Sequence, residues 1–262
     1  MVSLTFGYST LANRLSNIQL PDLSQHPDWD VLITVQSGSA NAPTEAELAK
    51  APTGKNVELL SFPGVGVTKL RNQVLKNAKG KYVIFSDDDI TFDQKGIEEA
   101  ISYLQRTGAG LVLGQAIDET GSLRKSYPSQ VEQLNKFNSA KAATYEMIVD
   151  LEQVTAAGVL FDENFGAGAE ATYLGDEYIF ICDLVSAGVR CDFVPIVLAS
   201  HPTVSSGSGW GTDRDRIARA LIFDRAFKGN RTLPFMARAA FGLRKVGKEL
   251  TFGSYLRFIF KR

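Results

Sequence analysis

Short apolar runs alternate with stretches of helical spacing through the first half of the chain. Residues 2–7, 30–36 (DVLITVQ) and 57–62 read as strands. Residues 67–78 place Val67, Leu70, Val74, Leu75 and Ala78 on one side, the spacing of an amphipathic helix. Residues 81–86 (KYVIFS) form a strand that ends in acids, followed by a helix over 94–106 and a strand over 110–117. This alternation predicts an α/β fold: a mostly parallel sheet with helices on both faces.

The later pattern is less regular. Residues 118–129 read as a polar loop, and 130–150 fit neither period. Residues 155–161 (TAAGVLF) read as a strand. A glycine-rich stretch, 165–168, leads to helical spacing over 175–187, with Gly188 placed to cap it. A strand over 189–199 precedes a small-residue loop, 205–211 (SSGSGWG). Two helical patterns follow, over 213–228 and 233–250. The division this suggests is an α/β domain over 1–211 and a basic helical extension over 212–262. No internal repeat appears.

Composition changes this picture little. A hydrophobic content of 44% and a charged content of 22% are those of a globular chain. Cys182 and Cys191 sit in apolar surroundings and read as buried thiols rather than a disulfide framework. The N-terminus has no basic or long apolar stretch of the secretory kind, and no run approaches the roughly 18 apolar residues of a spanning helix. A cytoplasmic chain is expected, soluble or held at the inner face of the plasma membrane. The charge is asymmetric. Residues 1–212 carry 15 Lys/Arg against 25 Asp/Glu, and residues 213–262 carry 13 against 4. A basic tail on an acidic body points to an anionic contact.

The sharpest chemical feature is Ser86-Asp87-Asp88-Asp89, three carboxylates after an apolar strand. In an open α/β sheet, ligands bind outside the carboxyl ends of strands. Adjacent acids there repel unless a cation sits among them. Mg²⁺ or Mn²⁺ bridging carboxylate and phosphate oxygens is the natural occupant. Downstream, Gly175-Asp176-Glu177 opens a helix and His201 follows a strand.

These residues resemble the family 2 glycosyltransferases of GT-A fold, of the kind that builds bacterial surface polysaccharides. The likeness is carried by Gly64 through Arg71-Asn72, then Ala78, Gly80, Tyr82, Phe85, Asp87 and Asp89. It continues through Phe161-Asp162-Glu163, Phe165-Gly166, Gly175-Asp176-Glu177, Gly188, Pro195 and His201. The resemblance covers about residues 2–205. It implies inverting sugar transfer from a nucleoside-diphosphate sugar, UDP-sugars favoured, to a glycan or lipid-linked acceptor. Nucleic acid is not an expected partner. Asp87 would contact ribose or sugar, with Asp88 the variable middle residue, and Asp89 would bind the metal, completed by His201. Glu177 matches the general-base position, with Asp176 second because the acidic pair is inverted. The loop 7–10 would lie on the nucleotide, Tyr8 near the base and Ser9 beside it. Arg71 would approach the nucleotide from its helix, and Gln36 stands where relatives often read uracil with an acid. Trp210 would stack on the donor sugar as its loop closes.

Two other readings fit some of these residues. Asp87 and Asp89 could be nucleophile and acid of a haloacid-dehalogenase-like phosphatase. A non-catalytic sugar- or nucleotide-binding domain would keep the fold without the reaction. The tail, rich in Phe, Leu and Lys/Arg, fits either a helix lying in a membrane surface or helices packed on the acidic body.

Overall fold

A computed structural model describes residues 3–169, 172–202 and 212–260. The chain begins with β1 (Leu4–Leu11), β2 (Trp29–Gln36), a short capped turn of helix α1 (Glu45–Leu48) and β3 (Val57–Phe62). Helix α2 (Val67–Asn77) then crosses back to β4 (Tyr82–Ser86). These four strands are mutually parallel, in the order β3-β2-β1-β4. The chain thus moves outward from β1 on one side and returns to pair on its other side. That reversal makes a crevice at the carboxyl ends of β1 and β4, the place where open α/β sheets bind ligands.

The rest of the sheet follows as β5 (Thr91–Phe92), β6 (Leu111–Ile117), β7 (Glu132–Gln133), β8 (Met147–Asp150) and β9 (Cys191–Ser200). Among the described residues the sheet runs β3-β2-β1-β4-β8-β6-β9-β5, with β7 beside β9. The parallel expectation holds for β1–β4 and for β6 with β9. Strand β8 runs antiparallel between β4 and β6, and β5 and β7 run antiparallel to β9. Residues 118–146 hold no crossover α-helix, so the chain re-enters through β8 in the opposite direction.

Helices cover both faces. Helix α3 (Gln94–Thr107) packs its Ile97, Ala100, Ile101 and Leu104 on one face, with Phe6, Tyr8, Ile33 and Ile84. Asp93 caps it, accepting from the Gly96 N–H at 2.9 Å. A Cβ on Gly96 would stand 1.8 Å from the Val197 carbonyl oxygen, so only glycine lets α3 lie this close to β9. On the other face, α2, α4 (Leu151–Ala156) and α5 (Asp176–Ser186) enclose Val74, Phe85, Val154, Phe161, Phe180 and Leu184. Phe161 and Phe180 stack at 4.1 Å. Cys182 and Cys191 are buried free thiols, and burial pushes both thiols up, Cys182 to about 11 and Cys191 to about 12.

Three helices follow: α6 (Asp213–Ala226), α7 (Leu233–Leu243) and α8 (Phe252–Phe260). They share a third apolar cluster with α5, in which Tyr178, Ile179 and Cys182 meet Ala220, Phe223, Leu250 and Phe258. Arg225 of α6 pairs with Asp162 and Asp183, each at 2.7 Å. The extension is therefore packed on the acidic body, by apolar surface and by α6 charge. The proposed division near residue 211 lies outside the described residues.

Two local expectations are corrected. Residues 155–161 are not a strand: α4 ends at Ala156, Gly158 turns the chain at φ 65°, and Val159–Phe161 runs into the core as irregular backbone. Residues 233–250 are not one helix, because α7 ends at Leu243 and Gly247, at φ 81°, turns toward α8.

Candidate active site

A cleft of about 1090 Å³ opens at the carboxyl ends of β1 and β4. Ser9, Gln36, Arg71, Asp87, Asp88, Asp89, Asp176, Glu177 and His201 all line it. Nine of the eleven residues singled out from sequence thus converge. Trp210 lies outside the described residues. Tyr8 does not reach the cleft: β1 runs on to Leu11 instead of ending at Gly7, so Tyr8 is a strand residue. Strand alternation turns it into the α3-side core, fully buried, where its hydroxyl donates to the Gln19 carbonyl at 2.9 Å.

Arg71, buried on α2, joins the two acidic segments. Its guanidinium donates to Asp176 and, at 3.2 Å, to Asp87, and lies 3.6 Å from Glu177. Burial works against this charge, but the carboxylates of Asp176, Asp87 and Glu177 outweigh it and hold Arg71 above the ordinary arginine range. The neighbouring Asn72 fixes the approach of the Phe161 segment, donating to the Phe161 carbonyl at 3.0 Å and accepting from its N–H at 2.8 Å.

The two acids at the start of α5 differ in access. Asp176 is 4% exposed and held by Arg71. Burial, joined by the Glu177 charge, raises its carboxyl above the usual range despite Arg71. Glu177 turns its side chain to the cleft, where it accepts from the buried Thr144 hydroxyl at 2.7 Å. Both lie in the first turn of α5, where the helix dipole favours anions.

The three acids after β4 also separate. Asp87 stands beside Arg71 at the floor of the cleft, with its carboxyl raised by burial. Asp88 is 3% exposed and bound back to the strand-end segment, accepting from the Thr10 hydroxyl and from Arg14, both at 2.5 Å. It acts as a strut between β4 and the turn after β1. Asp89 is open to the cleft, with its carboxylate 3.7 Å from His201 Nε2. His201 Nδ1 is hydrogen-bonded to the Pro202 carbonyl at 2.6 Å, and Nε2 is the ring nitrogen that faces Asp89. Tyr145 stacks on the imidazole at 5.0 Å. One carboxylate and one imidazole suit a Mg²⁺ or Mn²⁺ ion that takes its remaining ligands from phosphate and water. Among the described residues no group of three or more metal-ligating side chains occurs.

Sequence reading missed Arg14, Arg124, Thr144 and Tyr145. Arg124 donates to the Tyr145 hydroxyl at 2.7 Å. Arg14 stands three residues beyond a strand that proves longer than its apolar run. The others lie in segments without periodicity, and only the sheet's return path brings them in.

Site and topology together define an α/β domain whose cleft lies at an acid-rich strand end. Residues 11–161, more than half the chain, match the model of Glycosyl transferase family 2. The chain belongs to that family, so the phosphatase alternative falls. The fold is similar to TarS of S. aureus. A TarS structure in complex with UDP-GlcNAc matches at TM-score 0.60 and 14% identity, over 97% of this chain and 75% of that one. One in complex with UDP matches at TM-score 0.58 and 13% identity, over 98% and 81%. A longer TarS structure matches at TM-score 0.56 and 15% identity over 95% of this chain, which spans 44% of that protein. At these identities the likeness is one of fold. No curated protein matches the sequence.

Proposed function

We propose that the chain is a metal-dependent, inverting glycosyltransferase. It moves a sugar from a nucleoside-diphosphate sugar to a hydroxyl of a glycan or lipid-linked acceptor, as bacterial surface-polysaccharide synthesis requires. The observation that carries the reading is the convergence of Asp87, Asp89 and Glu177 around Arg71 and His201 in one cleft at the sheet's switch point. The donor's nucleotide fits the Ser9–Gln36 end of the cleft. The Gln36 amide can both donate and accept, as a uracil edge demands. UDP-sugars are favoured, since the fold relative TarS is solved with UDP-GlcNAc.

Each residue then has a task. Asp87 accepts from sugar or ribose hydroxyls, held in place by Arg71. Asp89 and His201 would hold the divalent ion, which would supply positive charge beside the diphosphate leaving group. Glu177 takes the proton of the acceptor hydroxyl as that oxygen attacks the anomeric carbon from the face opposite the leaving group. The new C–O bond forms as the bond to the diphosphate breaks, so configuration inverts. Asp176 positions Arg71 rather than touching substrate, and Asp88 braces the strand ends. A peripheral position at the inner membrane face belongs to the same reading, because lipid-linked acceptors reside there.

A thermal-shift panel of sugar nucleotides with and without Mn²⁺ tests the donor assignment. A ligand at 100 times its Kd adds about 2.7 kcal/mol of stability. The expected result is a metal-dependent rise in Tm with UDP-sugars. No shift with any sugar nucleotide would overturn the reading.

A further inference from the structure

Helices α7 and α8 carry an apolar face that no described residue covers. Phe235, Met236, Leu243, Phe252, Leu256 and Phe260 are 40–65% exposed, six of the thirteen exposed large hydrophobics among the described residues. On α8, Phe252, Leu256 and Phe260 recur every four residues and so form one stripe. The Phe260 ring meets Phe235 of α7 at 5.8 Å, so the α8 stripe continues onto α7 there. Met236 and Leu243 are two turns apart on α7 and share a side. Apolar residues this clustered mark an interaction site.

The charges beside this face have one sign. Residues 228–262 contain nine Lys/Arg and a single acid, Glu249. Arg238 pairs with Asp224, and Lys245 pairs with Glu249 at 2.8 Å. Arg231, Arg244, Lys248 and Arg257 are exposed and form no ion pair among the described residues. The acidic body is therefore not what these four cations serve. Packing of the extension already rests on Arg225 and on the cluster around Phe223 and Phe258. Phe241, Lys245 and Glu249, from the same part of the chain, line the active-site cleft. The exposed face and the cleft mouth are thus parts of one helical unit.

We propose that the α7–α8 face docks on an anionic lipid bilayer. The aromatic and aliphatic side chains enter the boundary between headgroups and acyl chains, and the four cations meet lipid phosphates. Among the described residues no helix is long and apolar enough to cross a membrane, so the contact is peripheral. A second copy of the chain is the poorer occupant, because a twofold contact sets the same patch against itself and brings like cations together. The consequence for the proposed reaction is that the cleft opens toward membrane-borne acceptor. That consequence rests on the transferase reading, whereas vesicle binding does not.

Flotation of the full chain with neutral phosphatidylcholine vesicles and with vesicles containing phosphatidylglycerol tests this. The expected bound fraction rises at least about tenfold with anionic lipid and falls in high salt. The double variant Phe252→Glu, Leu256→Glu is expected to lose binding by about tenfold or more, because two apolar contacts become anions. These side chains are exposed, so its Tm and its release of nucleoside diphosphate should match wild type. Equal absence of wild-type binding on both vesicle types would overturn the proposal. So would a wild-type dimer in light scattering that becomes a monomer in the double variant. Flotation needs no donor or acceptor, so failed sugar transfer with intact vesicle binding would count against the transferase reading alone.

Discussion

Glu177→Gln separates the proposed base from everything else in the cleft. Glutamine keeps the side-chain shape and an oxygen that can accept from the Thr144 hydroxyl, now at 2.7 Å. Arg71 keeps Asp176 and Asp87, and loses only a 3.6 Å contact to a carboxylate that reaches solvent. Loss of one partly exposed contact of this kind costs under about 1 kcal/mol. A change of that size moves Tm by about 2–4 °C at most in a chain of this length. Donor affinity should hardly change, because Ser9, Gln36, Asp87 and Asp89 are untouched. What disappears is the proton acceptor, worth about 10²–10⁴-fold in turnover. Each tenfold is about 1.4 kcal/mol, so the barrier should rise by roughly 3–5 kcal/mol. Steady-state release of nucleoside diphosphate, with donor affinity and Tm measured on the same sample, reads all three quantities. A Glu177→Gln variant with near wild-type turnover, beside an Asp176→Asn variant that loses it, would refute the assignment and move the base to Asp176.

Stability should depend on pH through Asp176. Its folded carboxyl is raised above the ordinary aspartate value of 3.8, so between that value and the raised one the folded chain binds more protons than the unfolded. Its contribution to stability therefore declines as pH rises through this interval, and Asp176→Asn should flatten the decline in Tm; identical slopes in both proteins would contradict it. Gly96→Ala should destabilise by about 1–3 kcal/mol or more, since its Cβ would press on the Val197 backbone, and an unchanged denaturation midpoint would count against the close α3–β9 approach. Tyr8→Phe should cost about 0.5–1.5 kcal/mol for the lost bond to Gln19 and leave donor affinity unchanged. A large loss of donor affinity without loss of stability would return Tyr8 to the nucleotide site.

The first half of the fold was legible because its elements obey one period each. Strands β2, β3 and β4 and helices α2 and α3 fall within a few residues of their apolar patterns. The acidic strand end and the acids opening α5 were legible because carboxylates at element ends stand out in local sequence. Length and direction were harder. Polar Ser9 and Thr10 hid the last residues of β1, which misplaced Tyr8. Of the apolar run after Gly158 only Phe161 is fully buried, by packing on Phe180, and a short run of that kind has no period to distinguish strand from coil. Strand β8 was lost in an aperiodic segment, and with it Thr144, which positions Glu177 through a contact 33 residues away. In sequence the roles of Asp87, Asp88 and Asp89 rest on the family resemblance alone, because all three are the same residue. Their environments separate them: Arg71, the Thr10–Arg14 pocket and His201.

The proposed reaction is a metal-assisted, inverting transfer of sugar from a nucleoside-diphosphate donor at the Asp87–Asp89–Glu177 cleft. It is tested most directly by incubating the chain with UDP-sugars and following both UDP release and the anomeric proton of the freed or transferred sugar. With Mn²⁺, UDP should be released and the first-formed product should carry the opposite anomeric configuration to the donor. Chelator or Asp89→Asn should abolish release. Retention of configuration, or undiminished release in chelator by the Asp89→Asn variant, would contradict a metal-assisted, inverting transfer.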